Sequence, residues 1–173
     1  MYKPNIALIA VALLAVVAAS PALAAPASVT TPVEVRAKIL KPLTMAYTGS
    51  LNFGTILLNG LTANRTIALS AANVRDCGAG TTQLVCSGAT SVPTYTVRGT
   101  NNEVVTIIKT ASNLTNAATG ASLLMTLSGP TSVTMPNSGN PGASFAIGAS
   151  ITLTPTTGEG VYSGSVNVQV DYQ

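Results

Sequence analysis

The chain has 173 residues, with eight basic and five acidic side chains and a formal net charge of +3. Charged residues make up only 8% of it, so we expect no basic patch that could hold nucleic acid. It contains no histidine, which excludes imidazole acid–base chemistry, histidine-activated nucleophiles and most zinc sites. We therefore expect no catalytic residue, no cofactor and no metal ligand.

The first 24 residues have the pattern of a secretory signal peptide. Lys3 precedes an apolar run over residues 6–19, and the small-residue site Ala22-Leu23-Ala24 precedes Ala25. This run is shorter than the ~18 apolar residues that a membrane-spanning helix needs, and no later stretch approaches that length. We expect cleavage after Ala24, export to the periplasm, cell surface or medium, and no transmembrane helix in the mature chain.

The two cysteines predict a structural disulfide. Cys77 and Cys86 flank a short loop that contains Gly78 and Gly80, so the ring closes easily. In an oxidising compartment an intrachain bond is the default state of such a pair. A metal site would need more soft ligands than two thiolates, and a redox pair normally has the tighter Cys-x-x-Cys spacing.

After the leader, apolar and polar residues alternate with the period of a β-strand. In residues 28–39 the odd positions are mostly apolar and the even ones polar, which predicts a long one-sided strand in which Pro32 marks an edge or break. Further predicted strands are residues 51–53, 65–69, 94–98, 104–109, 123–127, 145–154 (broken at Gly148) and 161–172. Turn clusters separate them and no helical period occurs. This pattern predicts an all-β antiparallel β-sandwich over residues 33–173, preceded by an N-terminal extension over residues 25–32.

The last predicted strand carries an apolar face. Val166, Val168, Val170 and Tyr172 share one side, and the sequence ends one residue later at Gln173. We therefore expect nothing downstream to pair with the outer edge of this strand. An exposed edge with an apolar face is an aggregation hazard unless something covers it.

Two sets of residues resemble known families. Counted back from Gln173, Tyr172 is penultimate and Gly160 is fourteenth, which resembles the last strand of chaperone–usher pilus subunits. Residues 51–54 (Leu-Asn-Phe-Gly) and 160–164 (Gly-Val-Tyr-Ser-Gly) are similar to spore coat protein U-like proteins. They resemble more closely the secreted family catalogued as domain of unknown function 4402, over residues 33–173.

The resemblance implies an immunoglobulin-like sandwich that lacks its final strand. A periplasmic chaperone, working with an outer-membrane usher, would lend a strand to the groove, and like subunits would replace it during assembly. The implied acceptor residues are Gly160, Val166, Val168, Val170 and Tyr172. The candidate donor is residues 25–33, with Ala27, Val29, Thr31 and Val33 facing the groove. The expected function is that of an exported, non-enzymatic structural or adhesion subunit.

Two other hypotheses stay open. A monomeric carbohydrate-binding or adhesive module would use exposed aromatic residues, and Tyr47 and Tyr95 are the candidates. A small hydrolase would need two carboxylates that face each other across a substrate. The available carboxylates are Glu34, Asp76, Glu103, Glu159 and Asp171.

Overall fold

The computed structural model of this chain describes residues 30–78 and 82–173. The predicted leader over residues 1–24 and the donor candidates Ala27 and Val29 lie outside the described residues. Within these ranges all regular structure is β-strand. None of the described residues belongs to a helix that is long and apolar enough to cross a membrane.

Fifteen strands follow one another among the described residues, most of them short. They are β1 (Thr44–Thr48), β2 (Thr55–Leu58), β3 (Arg65–Leu69), β4 (Arg75–Asp76), β5 (Leu84–Ser87), β6 (Thr94–Arg98), β7 (Val104–Ala111), β8 (Leu114–Asn116), β9 (Ser122–Leu123), β10 (Met125–Ser128), β11 (Ser132–Thr134), β12 (Ala143–Ala146), β13 (Gly148–Leu153), β14 (Tyr162–Ser163) and β15 (Val166–Tyr172).

All pairs between these strands are antiparallel. Three sheets form the bulk of the molecule, in the orders β1-β6-β12, β11-β7-β15 and β10-β13-β3-β4. Two smaller sheets have the orders β14-β8-β9 and β2-β5. The predicted all-β antiparallel sandwich is thereby confirmed.

The strands alternate buried and exposed side chains, and the buried ones form two apolar clusters. The first cluster consists of Phe53, Ile67, Leu69, Leu84, Leu123, Met125, Ala149, Ile151 and Leu153. The second consists of Tyr95, Val97, Val105, Ile107, Met135, Ala143, Phe145 and Ile147. Leu127 and Val166 pack against both clusters, so the two are joined through β10 and the start of β15.

The strands predicted at residues 65–69 and 94–98 are confirmed with the same bounds. The strand predicted over residues 145–154 is interrupted one residue before the predicted break at Gly148, because β12 ends at Ala146 and β13 begins at Gly148. A Cβ at Gly148 would collide with the Leu69 carbonyl oxygen. Only glycine allows that close approach of two backbones.

The strand predicted over residues 28–39 is wrong in its described part, because residues 30–43 form no strand. The apolar side chains of this segment remain exposed: Val33 by 83%, Val35 by 89% and Ile39 by 91%. The alternation of apolar and polar side chains gives this segment one apolar face, but a strand also needs a neighbouring strand for its backbone hydrogen bonds. The compact body of the fold is Lys38–Gln173.

The predicted disulfide between Cys77 and Cys86 is confirmed. The bond joins the residue after β4 to β5, across a sequence separation of nine residues and a Cα–Cα distance of 6.1 Å. It therefore ties the β2-β5 ribbon to the edge of the four-stranded sheet, where Cys77 and Cys86 pack against the first apolar cluster.

Removing this bond should lower the free energy of unfolding by about 2–3 kcal/mol, because a short closed loop no longer restricts the unfolded chain. The variant Cys77→Ser/Cys86→Ser, compared with the oxidised parent in a urea titration, measures the change. The reduced parent is the control and should match the variant. An unchanged urea midpoint in both would contradict this prediction.

Candidate functional site

A groove of about 1170 Å³ opens onto the first apolar cluster. One wall is residues 49–58, which include β2, and the other is residues 157–164. Met125, Ile151 and Leu153 lie between these walls. The volume exceeds the roughly 300–1,000 Å³ of typical small-molecule pockets.

The strands beside the groove have unpaired edges. Among the described strands, β1 pairs only with β6, β2 only with β5, and β15 only with β7. The Gln173 amide donates to the Val104 carbonyl oxygen and the Ser112 amide to that of Ser165, both at 3.0 Å. In an antiparallel pair, every second residue hydrogen-bonds to the partner strand. Because Ser165 and Gln173 bond to β7 or its extension, the backbone N–H and C=O groups of Val168 and Val170 point away from β7.

Inner-face side chains of β1 are exposed although their neighbours on β6 are buried. Tyr47 lies opposite Tyr95 and Met45 opposite Val97. Tyr95 and Val97 are 6% and 0% exposed, whereas Met45 is 38% and Tyr47 69% exposed. Among the described residues no strand covers Met45 and Tyr47, so this part of the sheet presents an exposed apolar surface.

Three aromatic rings form a row across β1, β6 and β12. The ring centroids of Tyr47 and Tyr95 are 5.9 Å apart, and those of Tyr95 and Phe145 are 5.4 Å apart. Burial, and secondarily the nearby Tyr47, raises the pKa of Tyr95 above its ordinary value. Tyr95 adds no charge to this part of the groove.

Tyr172 connects the end of β15 to the segment before β1. Its hydroxyl donates to the Lys41 carbonyl oxygen and accepts from the Thr100 amide, both at 2.7 Å. A Cβ at Gly99 would collide with the Tyr172 hydroxyl, so glycine leaves room for the ring. The end of β15 is thereby joined to the segment that leads into β1. The groove lies at the other end of β15, where Val166 lines it.

Gly160 forms part of one wall for a steric reason. Its φ of +137° is a conformation that L side chains rarely adopt, and a Cβ there would collide with the Asn116 amide. Asn116 is 2% exposed; its Nδ2 donates to the Glu159 carbonyl oxygen at 3.1 Å and its Oδ1 accepts from the Ala118 amide at 2.9 Å. The buried asparagine thus fixes the backbone that precedes β14.

Arg75 holds the opposite wall. Its Nη1 donates to the carbonyl oxygens of Phe53 and Ser87, each at 2.8 Å. Gly54 has a φ of +78°, and a Cβ there would collide with that same nitrogen. Sequence reasoning missed Arg75 and Asn116, because an arginine or asparagine in an alternating strand looks like an ordinary surface residue.

The structure places the residues that the sequence suggested as follows. Gly160 and Val166 line the groove. Val168, Val170 and Tyr172 continue along β15 and are half-buried against the second apolar cluster. Of the suggested donor residues, Thr31 and Val33 are described, and both lie in the exposed segment before the body.

Four of the five carboxylates have a local partner. Glu34 bonds to Arg36 and Glu103 to Lys38, each at 2.6 Å, while Asp76 accepts from the Gly78 amide and Asp171 from the Gln169 side chain. Glu159 lies in the groove wall. Over the ranges that the structure describes, no three His, Cys, Asp or Glu residues gather into a metal-binding group.

Gly160→Ala should lower the free energy of unfolding by about 1–3 kcal/mol, because the methyl group displaces Asn116 and the backbone is strained. Gly158→Ala is the matched control, since a Cβ there would meet open space. Urea unfolding of both variants tests the difference. Equal midpoints for the two variants would show that the close contact with Asn116 does not matter.

The comparisons with known proteins concern the part of the chain that builds this groove. No curated protein and no solved structure was found to match the chain. A family model described as domain of unknown function (DUF4402) matches residues 43–172. The match begins just before β1 and ends with β15, so it includes both groove walls and every described strand. The chain belongs to the family described as domain of unknown function (DUF4402).

Proposed function

We propose that the groove accepts an extended β-strand from another polypeptide, and that the protein is an exported, non-enzymatic structural or adhesion subunit of a pilin-like or coat-like kind. The observation that carries this proposal is the 69% exposure of Tyr47 on an inner sheet face, beside the buried Tyr95. The fold is then an immunoglobulin-like sandwich without its final strand. An inserted strand would cover the exposed ring and complete the sandwich.

The unpaired edges support this proposal. A strand inserted along β15 would hydrogen-bond to the backbone groups of Val168 and Val170 that point away from β7, and its alternate side chains would enter the groove. Backbone hydrogen bonds supply affinity in such complexes, while side-chain pockets supply specificity. The size and apolar floor of the groove suit a chain segment better than a small polar metabolite.

The partners and location in this proposal come from the sequence resemblance. The positions of Gly160 and Tyr172 suggest a periplasmic chaperone and an outer-membrane usher as assembly partners, with like subunits in the final polymer. The Cys77–Cys86 disulfide is compatible with assembly in an oxidising compartment outside the cytoplasm.

A gel experiment tests strand insertion. The exported protein, run unheated in SDS, should give a ladder that collapses to monomer on boiling, because an inserted strand belongs to a folded core and leaves slowly. Tyr47→Asp should reduce the ladder by more than about tenfold, since insertion would then bury an unpaired charge. The unfolding midpoint of the Tyr47→Asp monomer should change little, because the side chain is exposed without an occupant.

Val74→Asp is the matched control, because Val74 is also exposed (65%) but does not line the groove. Its ladder should equal that of the parent. A single monomer band for the parent in both lanes, from cells that carry the protein on their surface, would contradict assembly by strand insertion.

A carbohydrate-binding module is the second candidate function, and the exposed ring of Tyr47 at the groove favours it. Tyr95 is buried and presents no ring to solvent. The variant Tyr47→Leu separates the two functions, because strand insertion needs only apolar surface whereas stacking on a sugar needs an aromatic face. We expect Tyr47→Leu to keep the SDS-resistant ladder. Loss of retention on a polysaccharide column, with the ladder absent in parent and variant alike, would favour the carbohydrate module.

A further inference from the structure

Glu159 is the one charged residue among the described residues that line the groove. The other lining residues are apolar side chains, glycines, and neutral polar residues such as Ser50, Asn52 and Thr157. Four carboxylates of the described chain have a local partner, whereas the Glu159 carboxylate makes no hydrogen bond or ion pair with any described residue. A carboxylate that no internal cation neutralises remains available to a charge on an occupant.

Two hydrogen bonds fix the backbone that carries Glu159. Asn116 Nδ2 donates to the Glu159 carbonyl oxygen at 3.1 Å, and the Tyr162 hydroxyl donates to the adjacent Gly158 carbonyl oxygen at 3.0 Å. Asn116 is buried, and a Cβ at Gly160 would collide with its amide, so this turn has little freedom to shift. The carboxylate is therefore attached to a backbone that is held in place before an occupant arrives, which lowers the cost of pairing.

The opposite wall has a positive charge behind it. Arg75 donates from Nη1 to the Phe53 carbonyl oxygen, and a Cβ at Gly54 would collide with that nitrogen. Arg75 does not line the groove, but Phe53 and Gly54 do. Because charges act on one another over about 8 Å at physiological salt, a cation in the groove is repelled from the wall of residues 49–58 and attracted to that of residues 157–164.

The apolar lining alone does not fix the position of an inserted strand. Side chains of a β-strand alternate with a period of two, so a slip by two residues returns the same faces to the groove. Register is weakly specified where the strands are rich in glycine, and both walls contain glycines. A charged group at a single point of the groove removes this ambiguity.

We propose that Glu159 selects the strand that enters the groove and fixes its register, by pairing with a lysine or arginine of that strand. This inference rests on the proposed function and names the chemistry of the occupant at one position. A strand in a slipped register would leave Glu159 unpaired, and an acidic residue at the paired position would be repelled. Specificity then comes from this charge pair, and affinity from the backbone hydrogen bonds and the apolar floor.

A display selection tests the proposal without knowledge of the partner's sequence. Random peptides as long as β15 are selected on the immobilised exported protein. The parent should enrich peptides of alternating apolar residues that carry a lysine or arginine at one fixed position. The chain has a positive net charge, so non-specific attraction would enrich acidic peptides, and enrichment of basic ones reports a local field.

Three variants separate Glu159 from the rest of the groove. Glu159→Gln should abolish the preference at that position, and Glu159→Lys should reverse it in favour of aspartate or glutamate. The control Glu103→Gln removes a negative charge outside the groove lining and should keep the preference for a basic residue. The urea midpoints of both Glu159 variants should equal that of the parent, because the side chain is exposed and only the backbone of this residue bonds to Asn116.

Association kinetics provide a second readout. For a selected peptide, Glu159→Gln should lower the association rate by about two- to fivefold at low salt, which is the range expected of one exposed ion pair. The rate for the parent should fall as salt is added and that for Glu159→Gln should not, because salt screens the pair. Replacing the basic residue of the peptide by glutamine should slow association with the parent to the same extent and leave association with Glu159→Gln unchanged.

The failure of this proposal and that of the proposed function are distinguishable. Alternating peptides with the same residue preferences on the parent and on Glu159→Gln, or basic residues enriched at no fixed position, would overturn the role of Glu159 while strand insertion stands. If the parent enriches no alternating peptide, or if the enriched peptides bind Tyr47→Asp equally well, insertion of a strand into the groove is itself overturned.

Discussion

The hydroxyl of Tyr172 is the contact on which the open arrangement of the sheets depends. It binds the Lys41 carbonyl oxygen and the Thr100 amide, and so joins the end of β15, the segment before β1 and the turn between β6 and β7. Because the two unpaired edges are tied together at this end, they can stay apart at the other without the sheets separating. A half-buried hydroxyl with both partners in place costs little, whereas its loss would remove the partner of the Lys41 carbonyl oxygen and of the Thr100 amide.

Polar side chains hold the backbone of both groove walls. Arg75 binds the Phe53 carbonyl oxygen in one wall, and Asn116 binds the Glu159 carbonyl oxygen in the other. Neither Arg75 nor Asn116 lines the groove, so these contacts leave the space between the walls free. A site whose backbone is already held in place loses little conformational freedom when it is filled, which raises the affinity for an occupant.

Alternation predicted residues 65–69 and 94–98 as strands because one face of each is buried and both edges have neighbours within the chain. The same alternation in residues 28–39 led to a strand prediction that is wrong in its described part, since the pattern contains no information about a pairing partner. Spacing from the end of the chain identified Gly160, but its steric cause, Asn116, is distant in sequence. The exposure of Tyr47 could not be predicted either, because it depends on which strands pack over β1, and the alternation pattern does not contain that information.

The wrong strand prediction and the unpaired edge of β15 both concern backbone groups that have no neighbouring strand among the described residues. Residues 33–39 have the alternating side chains of a strand but pair with no strand that the structure describes, and the outer edge of β15 has no described partner strand. Natural sheets usually protect such edges with lysine, proline or a bulge. β15 has none of these on its apolar side, where Val168 and Val170 stand. On the proposed function, this edge is left unprotected because an inserted strand from another polypeptide covers it.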